Sequence, residues 1–262
     1  MSVLHIDAQV VDNREVIKDH RVITCLAPDL AELARPGHFV NVLASEAASS
    51  ILRKPFSIYH ADPHTGLVAM LYQVKGPTTV GMAHKRAGDR IDLVGPLGGN
   101  VFEPDPRPGV HHVMVGGGYG VPPLVFLSKV LGQAAQTPQI TFIVGARSKD
   151  RLLCQDELAE MGVNVRPSTE DGSHGVKGRV TDVLSEILAD DVAVYCCGPD
   201  AMMRAVGAMC IASGVDCQVS LEAPMPCGIG VCMGCVVDTT DGIRVRACCE
   251  GPVFDARKVV WK

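Results

Sequence analysis

The sequence predicts a multi-domain chain of the β plus α/β class: a β-barrel, then a Rossmann-like parallel-sheet domain, then a small C-terminal module. Three observations predict this order. Short apolar runs separated by turn residues fill the first part of the chain, and strands and helices alternate in the middle. Residues 222–262 then hold five of the 11 cysteines. We place the three domains at residues 1–102, 103–216 and 217–262.

The composition excludes several classes of protein. Hydrophobic residues make up 47% of the 262 residues and charged residues 20%, which permits a packed core and excludes global disorder. A formal net charge of −5 argues against a nucleic-acid partner, because such proteins usually carry a basic surface. The sequence shows neither a basic and apolar leader nor an apolar stretch of about 18 residues. We therefore expect a cytoplasmic chain with reduced cysteines and no membrane span.

Four runs rich in branched, aliphatic and aromatic residues predict the strands of the barrel. Turn signals such as Pro36-Gly37 and Gly76-Pro77 separate them. The runs are Val22–Cys25, His38–Leu43, Phe56–His60 and Leu67–Val74. Short strands at regular spacing with such turns are typical of a small barrel or sandwich.

Alternating strands and helices from His111 onward predict a parallel sheet covered by helices. The expected strands are His111–Val115, Ile140–Gly145, Val192–Cys197 and, as the last strand, Cys217–Leu221. The expected helices are Pro122–Leu131, Asp150–Met161 and Asp200–Ser213. A glycine follows each of the last two helices, as is common at helix ends.

Two turns at the carboxyl ends of these strands are candidates for a nucleotide site. The first is rich in glycine and precedes a helix, with candidate residues Gly116, Gly117, Gly118 and Gly120. The second leaves another strand, with candidate residues Cys197, Gly198, Pro199 and Met202. Glycines let the backbone approach a pyrophosphate, and a helix N-terminus offers free amides and a favourable dipole. An ordinary strand–helix turn is the alternative for each, so the position at the strand ends carries the prediction.

The C-terminal module contains a C-x4-C-x2-C segment formed by Cys227, Cys232 and Cys235, followed by the neighbours Cys248 and Cys249. This is the spacing of plant-type iron–sulfur ligation, and it predicts a [2Fe–2S] cluster. Glycines inside the segment allow the loop to wrap a small cluster and turn its amides toward the sulfides. A zinc site and buried structural thiols are the alternatives, although zinc usually takes two C-x2-C pairs.

The nucleotide turns and the barrel together resemble the ferredoxin–NADP reductase superfamily. Gly-Gly-Gly-x-Gly-x-x-Pro-Leu at 116–124 and Cys-Gly-Pro-x-x-Met-Met at 197–203 resemble its pyridine-nucleotide signature. The run Arg-Lys-Pro-Phe-Ser-Ile at 53–58 resembles its flavin motif, with Lys54 where that family has arginine. A lysine offers a flavin phosphate a point charge and not a bidentate fork.

The tail resembles the iron–sulfur flavoprotein subunit of B-type dihydroorotate dehydrogenase, and the similarity extends over the whole chain in the same module order. Leu221-Glu222 before the three cysteines, and the run from Cys249 to Asp255, carry this resemblance. The family places a cysteine before an acidic-Gly-Pro-Val-Phe run, which favours Cys249 over Cys248 as the fourth ligand.

The resemblance implies FAD and a [2Fe–2S] cluster as cofactors and NADH as the substrate. The FAD contacts would be Arg53, Lys54, Pro55, Phe56, Ser57, Tyr72, Gln73, Val74, Thr78 and Thr79. The cluster ligands would be Cys227, Cys232, Cys235 and Cys249. Electrons would pass from NADH through FAD and the cluster to the FMN-containing catalytic subunit of dihydroorotate dehydrogenase, an enzyme of pyrimidine biosynthesis. The complex would be a heterotetramer of two of each subunit. A flavin suits this path because it accepts a hydride and releases single electrons, so we assign no catalytic acid or base.

Two other functions fit parts of the sequence. An NAD(P)H–ferredoxin oxidoreductase, or the small subunit of a bifurcating complex, would use the same modules. In transhydrogenase relatives an Asp resembles the first cluster ligand, and Cys227 at that place favours the dihydroorotate dehydrogenase reading. A non-enzymatic metal sensor would bind metal at the cysteines without a flavin. Arg147, Ser148 and Lys149 fit either a nucleotide ribose contact or a solvated turn, so the preference for NADH rests on the resemblance.

Overall fold

The computed structural model describes residues 2–43, 52–134 and 138–261. The chain divides into two compact units, each composed of separate chain segments. The first unit comprises Met1–Val101, Ala223–Val236 and Val245–Pro252. The second comprises Phe102–Glu222, Val237–Arg244 and Val253–Lys262. Residues of the C-terminal cysteine-rich segment therefore belong to both units.

Antiparallel strands and two short helices make up the N-terminal part of the first unit. The strands are β1 (Leu4–Ile17), β2 (His20–Leu26), β3 (Phe39–Leu43), β4 (Lys54–Ser57), β5 (His60–Asp62), β6 (Leu67–Gln73) and β7 (Arg90–Leu97). The helices are α1 (Pro28–Leu33) and α2 (Pro77–His84). Within the described part of the chain, the seven strands form one sheet in the order β4-β3-β7-β1-β2-β6-β5.

This sheet curls into a half-barrel around an apolar interior. Phe56 on the edge strand β4 lies edge-on against Tyr72 on β6, with ring centroids 6.2 Å apart. These two strands are far apart in the pairing order, so only a strongly curved sheet brings them together. Val42 on β3 and Leu93 on β7 are fully buried in the interior. The expected barrel is thus a curled antiparallel sheet.

Two features of this sheet differ from the sequence expectation. The longest strand, β1, was not expected, because its buried positions are confined to Ala8 and Val10 and its other residues are largely polar. Pairing with both β2 and β7 places it in the middle of the sheet, where neighbouring strands and not its own apolar content stabilise it. The expected strand Phe56–His60 is divided between β4 and β5, and the amides of Ile58 and Tyr59 donate to His38 and Ala69.

The second unit contains a mainly parallel sheet. Its strands are β8 (His111–Gly117), β9 (Ile140–Ala146), β10 (Asn164–Thr169), β11 (Val176–Lys177), β12 (Val192–Cys197) and β13 (Asp216–Ser220). Its helices are α3 (Val121–Gly132), α4 (Gln155–Glu160), α5 (Val180–Leu184) and α6 (Asp200–Ala212). Three short strands follow along the chain: β14 (Val236–Asp238) and β15 (Arg244–Arg246) each include residues of both units, and β16 (Val253–Asp255) belongs to this unit. The sheet order is β11-β10-β9-β8-β12-β13-β16, and β14 pairs with β15 separately.

Strands β8 and β12 lie side by side in the middle of this sheet, with Gly116 opposite Cys197. Every residue of β12 is buried, as expected of a strand covered on both faces. The chain proceeds from β8 to β9 on one side, and β12 lies on the other side. The strand order therefore reverses at β8, and ligands of such sheets bind at the carboxyl ends of the strands beside that point.

Two expectations for this unit are wrong. The expected helix Asp150–Met161 begins only at Gln155, because Cys154 adopts a left-handed conformation with φ 59° and a 3₁₀ turn covers Lys149–Arg151. The expected last strand is not the last, because β16 adds antiparallel to the edge of β13.

No helix in the described part of the chain has both the length and the apolar character that crossing a membrane requires. The longest of them, α6, has 13 residues, whereas a spanning helix needs about 20.

Candidate functional site

The two turns at the carboxyl ends of β8 and β12 pack directly against each other. A Cβ atom added at Gly120 would lie 2.0 Å from the carbonyl carbon and oxygen of Cys197. A Cβ at Gly117 would lie 2.9 Å from Met202 Sδ and 3.3 Å from Pro199 Cδ. The structure therefore brings the candidate residues of both turns together.

Three of the four candidate glycines in the first turn have a packing reason. Besides Gly117 and Gly120, Gly116 has its Cβ position only 3.1 Å from side-chain atoms of Val121 and Phe142. Gly118 differs, because its φ is +53° and a Cβ there would meet nothing within 4 Å. It is exposed and lies one 3₁₀ turn before α3, whose first amides lack intrahelical partners. An anionic group can approach the chain at Gly118 and face the positive end of the helix dipole.

Cys197 contributes its backbone and not a reactive thiol. Its side chain is buried, and the thiol donates to the carbonyl oxygen of Ser220 at 3.5 Å. Burial raises the pKa of this thiol far above its ordinary value, so the group stays neutral at physiological pH.

The segment after β9 makes local contacts. The Ser148 hydroxyl donates to the Asp150 carboxylate at 2.5 Å, and the Lys149 amide donates to the Ser173 hydroxyl at 2.8 Å. Arg147 is exposed. These contacts are compatible with both interpretations of Arg147, Ser148 and Lys149, a nucleotide ribose contact and a solvated turn.

The flavin motif lies at an edge of the curled sheet, where β4 pairs with β3. Arg53, just before β4, forms a bidentate ion pair with Asp92 on β7 at 2.8 and 2.7 Å. Burial raises the pKa of Asp92, but the hydrogen bonds and charges of Arg53 and, to a smaller extent, His5 outweigh it and hold this pKa below its ordinary value. The guanidinium of Arg53 is thereby bound by Asp92, while the neighbouring Lys54 side chain is exposed and accessible to a phosphate group.

The second group of candidate flavin residues lies at the end of β6 and the start of α2. Tyr72 is buried, and its hydroxyl donates to the Asn13 side chain at 3.0 Å. Gln73 ends β6 and is half-buried, and the Val74 amide donates to the Asp19 carbonyl at 2.7 Å. These contacts fix the course of the chain beside the Phe56–Tyr72 pair.

Helix α2 offers its N-terminus on the same unit. The Thr79 hydroxyl accepts hydrogen bonds from the amides of Lys75 and Gly76 at 2.9 and 3.0 Å, so it shapes the loop that leads into the helix. Thr78 is buried in the first turn. The helix dipole favours an anion at this end.

The residues of this edge fit a flavin nucleotide. An edge strand leaves backbone N–H and C=O groups without partners on its outer side, and these match the polar rim of an isoalloxazine ring. Phe56 and Ser57 of β4 are only half-buried, so they can contact the ring. Lys54 and the α2 N-terminus would offer positive potential to the two phosphates of a bound FAD.

The cysteine loop turns its backbone amides toward its own sulfur atoms. The Cys232 amide lies 3.5 Å from Cys227 Sγ, and the Gly234 amide lies 3.4 Å from Cys232 Sγ. Desolvation raises the pKa of the Cys227 thiol, but amides of the loop, that of Cys232 foremost, lower it, and the result is a pKa of about 6. A thiol with this pKa is largely a thiolate at neutral pH, which is the form that binds iron.

Glycines and one asparagine fix the shape of this loop. Gly230 has φ +80°, and a Cβ there would lie 2.4 Å from Cys249 Sγ. Gly228 has φ +70°, and its Cβ would lie 2.3 Å from Asn41 Nδ2. Asn41, on β3, is fully buried and donates to the Cys227 carbonyl at 3.0 Å. Asn41 is not among the residues expected at the site from the sequence, although it is a polar residue inside the apolar run of β3.

The cysteines make two pairwise contacts. The Cys232 amide contacts Cys227 Sγ at 3.5 Å, and Cys235 Sγ lies 3.2 Å from Cys248 Sγ. Cys249 Sγ is 3.8 Å from Cys248 Sγ, and Cys249 is less buried than its neighbour. No three His, Cys, Asp or Glu side chains of the described residues converge to hold one metal ion. A [2Fe–2S] cluster instead takes two protein ligands at each iron, which a pairwise arrangement fits.

The contact with Cys235 favours Cys248 as the fourth ligand, whereas the sequence favours Cys249. We expect Cys248→Ser to abolish the cluster, because it removes the sulfur next to Cys235, and Cys249→Ser to retain it. Iron content and the visible spectrum of the purified protein measure this. Cys232→Ser, which should lose the cluster but keep FAD, is the positive control. The opposite result for the two neighbours would assign the ligand to Cys249.

The contact between the two nucleotide turns gives a second prediction. Gly120→Ala should lower the free energy of unfolding by about 1–3 kcal/mol and weaken NADH binding, because the new methyl group meets the Cys197 backbone. Gly132→Ala, at the far end of the helix that follows Gly120, is the matched control, because a Cβ there meets nothing within 4 Å. Thermal unfolding and NADH titration measure both effects. Equal behaviour of the two variants would contradict the close contact.

Comparison with known protein families assigns two parts of the chain. Residues 222–260 match the family described as the iron-sulfur cluster binding domain of dihydroorotate dehydrogenase B. Residues 114–208 match the oxidoreductase NAD-binding domain. The first range contains all five cysteines of the cluster loop and turn, and the second contains both glycine turns.

One solved structure is similar over nearly the whole chain. It is the NADH-dependent reduced ferredoxin-NADP oxidoreductase from a study of flavin-based electron bifurcation, with a TM-score of 0.85 and 32% identity over 98% of this chain and 90% of that one. A ferredoxin NADP+ reductase from Neisseria gonorrhoeae has a TM-score of 0.65 at 15% identity, covering 80% of this chain and 92% of that one. The second likeness shows a shared fold.

Several curated proteins are similar over most of their length. The dihydroorotate dehydrogenase B (NAD(+)) electron transfer subunit of Desulforamulus reducens is 37% identical over 241 residues, which is 90% of each chain. The subunit of the same name from Bacillus cereus is 34% identical over 255 residues, 96% of each chain. At this identity and coverage, the chain belongs to the family of dihydroorotate dehydrogenase B electron transfer subunits and is an oxidoreductase subunit.

Proposed function

We propose that this chain takes electrons from NADH through FAD and a [2Fe–2S] cluster and delivers them to the FMN-containing catalytic subunit of dihydroorotate dehydrogenase. The observation that carries this proposal is the position of Asn41. Its backbone pairs with Pro55 in the flavin-motif strand, and its side chain donates to the carbonyl of the first cluster ligand, Cys227. One residue thus connects the two cofactor sites of the first unit.

The residues of the chain bind and orient the cofactors. FAD, when bound, supplies the exchange between a hydride and single electrons. Lys54 and the N-terminus of α2 hold its phosphates, and the outer edge of β4 holds the ring. Gly118 and the N-terminus of α3 receive the pyrophosphate of NADH. Cys227, Cys232, Cys235 and one of the neighbours Cys248 and Cys249 hold the cluster, with loop amides directed at the sulfurs.

The exposed face of the cluster loop is the docking surface for the catalytic subunit in this proposal. Ile229, Val231 and Met233 are 51%, 74% and 55% exposed, and Cys232 among them is exposed too. Adjacent exposed apolar side chains commonly mark a protein–protein contact. A catalytic subunit seated on this loop would approach the cluster closely. The assembly is a heterotetramer of two of each subunit.

A charged side chain on the cluster loop should weaken the binding of this chain to the catalytic subunit. Val231→Lys should weaken binding of the catalytic subunit at least tenfold, because burying an unpaired ammonium group costs several kcal/mol. The reduction of ferricyanide by NADH on the isolated chain should not change. Ile243→Lys, which alters an apolar residue that is 58% exposed on the turn between β14 and β15, is the control. Titration calorimetry with the catalytic subunit measures the difference, and equal affinities would place the docking surface elsewhere.

Purification from the native host tests the proposed function directly. We expect a yellow-brown complex with a second, FMN-containing chain that reduces orotate with NADH. The likeness to a ferredoxin-NADP oxidoreductase favours a second candidate, so ferredoxin is assayed as an alternative acceptor. Reduction of ferredoxin without an orotate-reducing partner would support that candidate. A colourless protein would contradict both and favour a metal sensor.

A further inference from the structure

An ion pair spans the turn that carries the last two cysteines. The Glu250 carboxylate accepts from the Arg246 backbone amide at 2.6 Å and from its Nε at 3.1 Å, and Arg246 Nη2 donates to the other carboxylate oxygen. Both side chains are about one-third exposed, at 33% and 38%. Two of these bonds form a bidentate contact between the guanidinium and the carboxylate, and the third, from the backbone amide, fixes the carboxylate, so the guanidinium has little freedom to move.

The same guanidinium reaches the cysteine loop. Arg246 Nη1 donates to the Gly230 carbonyl at 2.8 Å, and Gly230 lies between Cys227 and Cys232 in the chain. A Cβ at Gly230 would lie 3.0 Å from this Nη1 and 2.4 Å from Cys249 Sγ. The positive charge and a cysteine sulfur therefore border the same glycine.

Backbone contacts connect the loop and the turn on which this pair lies. The Arg246 carbonyl accepts from the amides of Cys249 and Glu250 at 3.0 and 2.9 Å. The Ala247 amide donates to the Cys235 carbonyl at 2.9 Å. Arg246 is thus fixed relative to ligands on both sides of the cluster site.

A fixed charge beside the cluster site changes the free energies of the oxidised and the reduced cluster by different amounts. Four thiolates and two sulfides give the oxidised cluster a net negative charge, and reduction adds one more. A nearby cation stabilises the reduced state and a nearby anion destabilises it, because Coulomb energy scales with the charge it acts on. The effect is larger at a partly buried site than in open solvent.

We propose that Arg246 and Glu250 set the reduction potential of the cluster in opposite senses. Arg246 raises the reduction potential through its positive charge, and its hydrogen bond to the Gly230 carbonyl holds that charge beside the cysteine loop. Glu250 holds the guanidinium in place and offsets part of its charge. Both are positioning residues and not ligands. This inference rests on the cluster in the proposed function and is independent of the partner and of orotate.

Redox titration followed by electron paramagnetic resonance tests the proposal on the full-length protein with both cofactors bound. Arg246→Met should reduce the equilibrium constant for cluster reduction about tenfold, which is about 59 mV for one electron. Glu250→Gln, which keeps a hydrogen-bond acceptor, should shift the potential upward. Arg246→Lys, which keeps the charge, should shift it less than Arg246→Met. Arg244→Met, which removes an exposed ion pair with Asp238, is the control and should leave the potential near that of the unaltered protein.

Iron and FAD contents accompany each titration. Shifts of the same sign for Arg246→Met and Glu250→Gln, or no shift in either with the cluster intact, would overturn the proposal. Loss of the cluster in Arg246→Met alone would leave the decision to Arg246→Lys and Glu250→Gln. A normal potential series in a protein without orotate activity would sustain this inference and reject the proposed function, so the two failures are distinguishable.

Discussion

The hydrogen bond from Asn41 to the Cys227 carbonyl is the contact on which the first unit depends. It joins residues 186 positions apart and attaches the cysteine loop to β3, the strand next to the edge strand β4 of the curled sheet. The loop has little apolar core of its own, since Ile229, Val231 and Met233 are exposed. A buried amide is costly without a partner, by about 1–3 kcal/mol, so the bond constrains the strand and the loop equally.

The oxygen atom of the Asn41 side chain shows a further constraint. Asn41 Oδ1 is buried and has no hydrogen-bond partner among the described residues. Such an atom is rare in native proteins and is retained where another requirement outweighs its cost. The competing requirement here is the bond from Asn41 Nδ2 to the Cys227 carbonyl. Gly228 approaches the same amide so closely that a Cβ at that position would lie 2.3 Å from Asn41 Nδ2, so this close approach requires glycine at 228.

The sequence predicted those parts of the fold and the sites that depend on local pattern. The period of apolar residues placed β12 at Val192–Cys197 as observed, and the C-x4-C-x2-C spacing located the cysteine loop. The parts it missed depend on distant contacts. The Arg53–Asp92 pair joins β7 to the residue before β4, and no local pattern indicates that Arg53 pairs with Asp92. Cys248 and Cys249 are sequence neighbours with the same side chain, and the contact of Cys248 with Cys235 depends on residues 13 positions apart, which no local pattern reveals.

The path of the C-terminal segment has a consequence for how such proteins can evolve. The segment enters the first unit at Ala223, leaves it, returns at Val245 and then ends in the second unit, where β16 completes the edge of the sheet. If the coding sequence were divided at any single point in this segment, the second unit would lose strand β16 or the first unit would lose cysteines of the cluster site. Exchange of the electron-carrying module between genes by simple end-to-end fusion is therefore disfavoured, and the tail must be inherited together with the chain that precedes it.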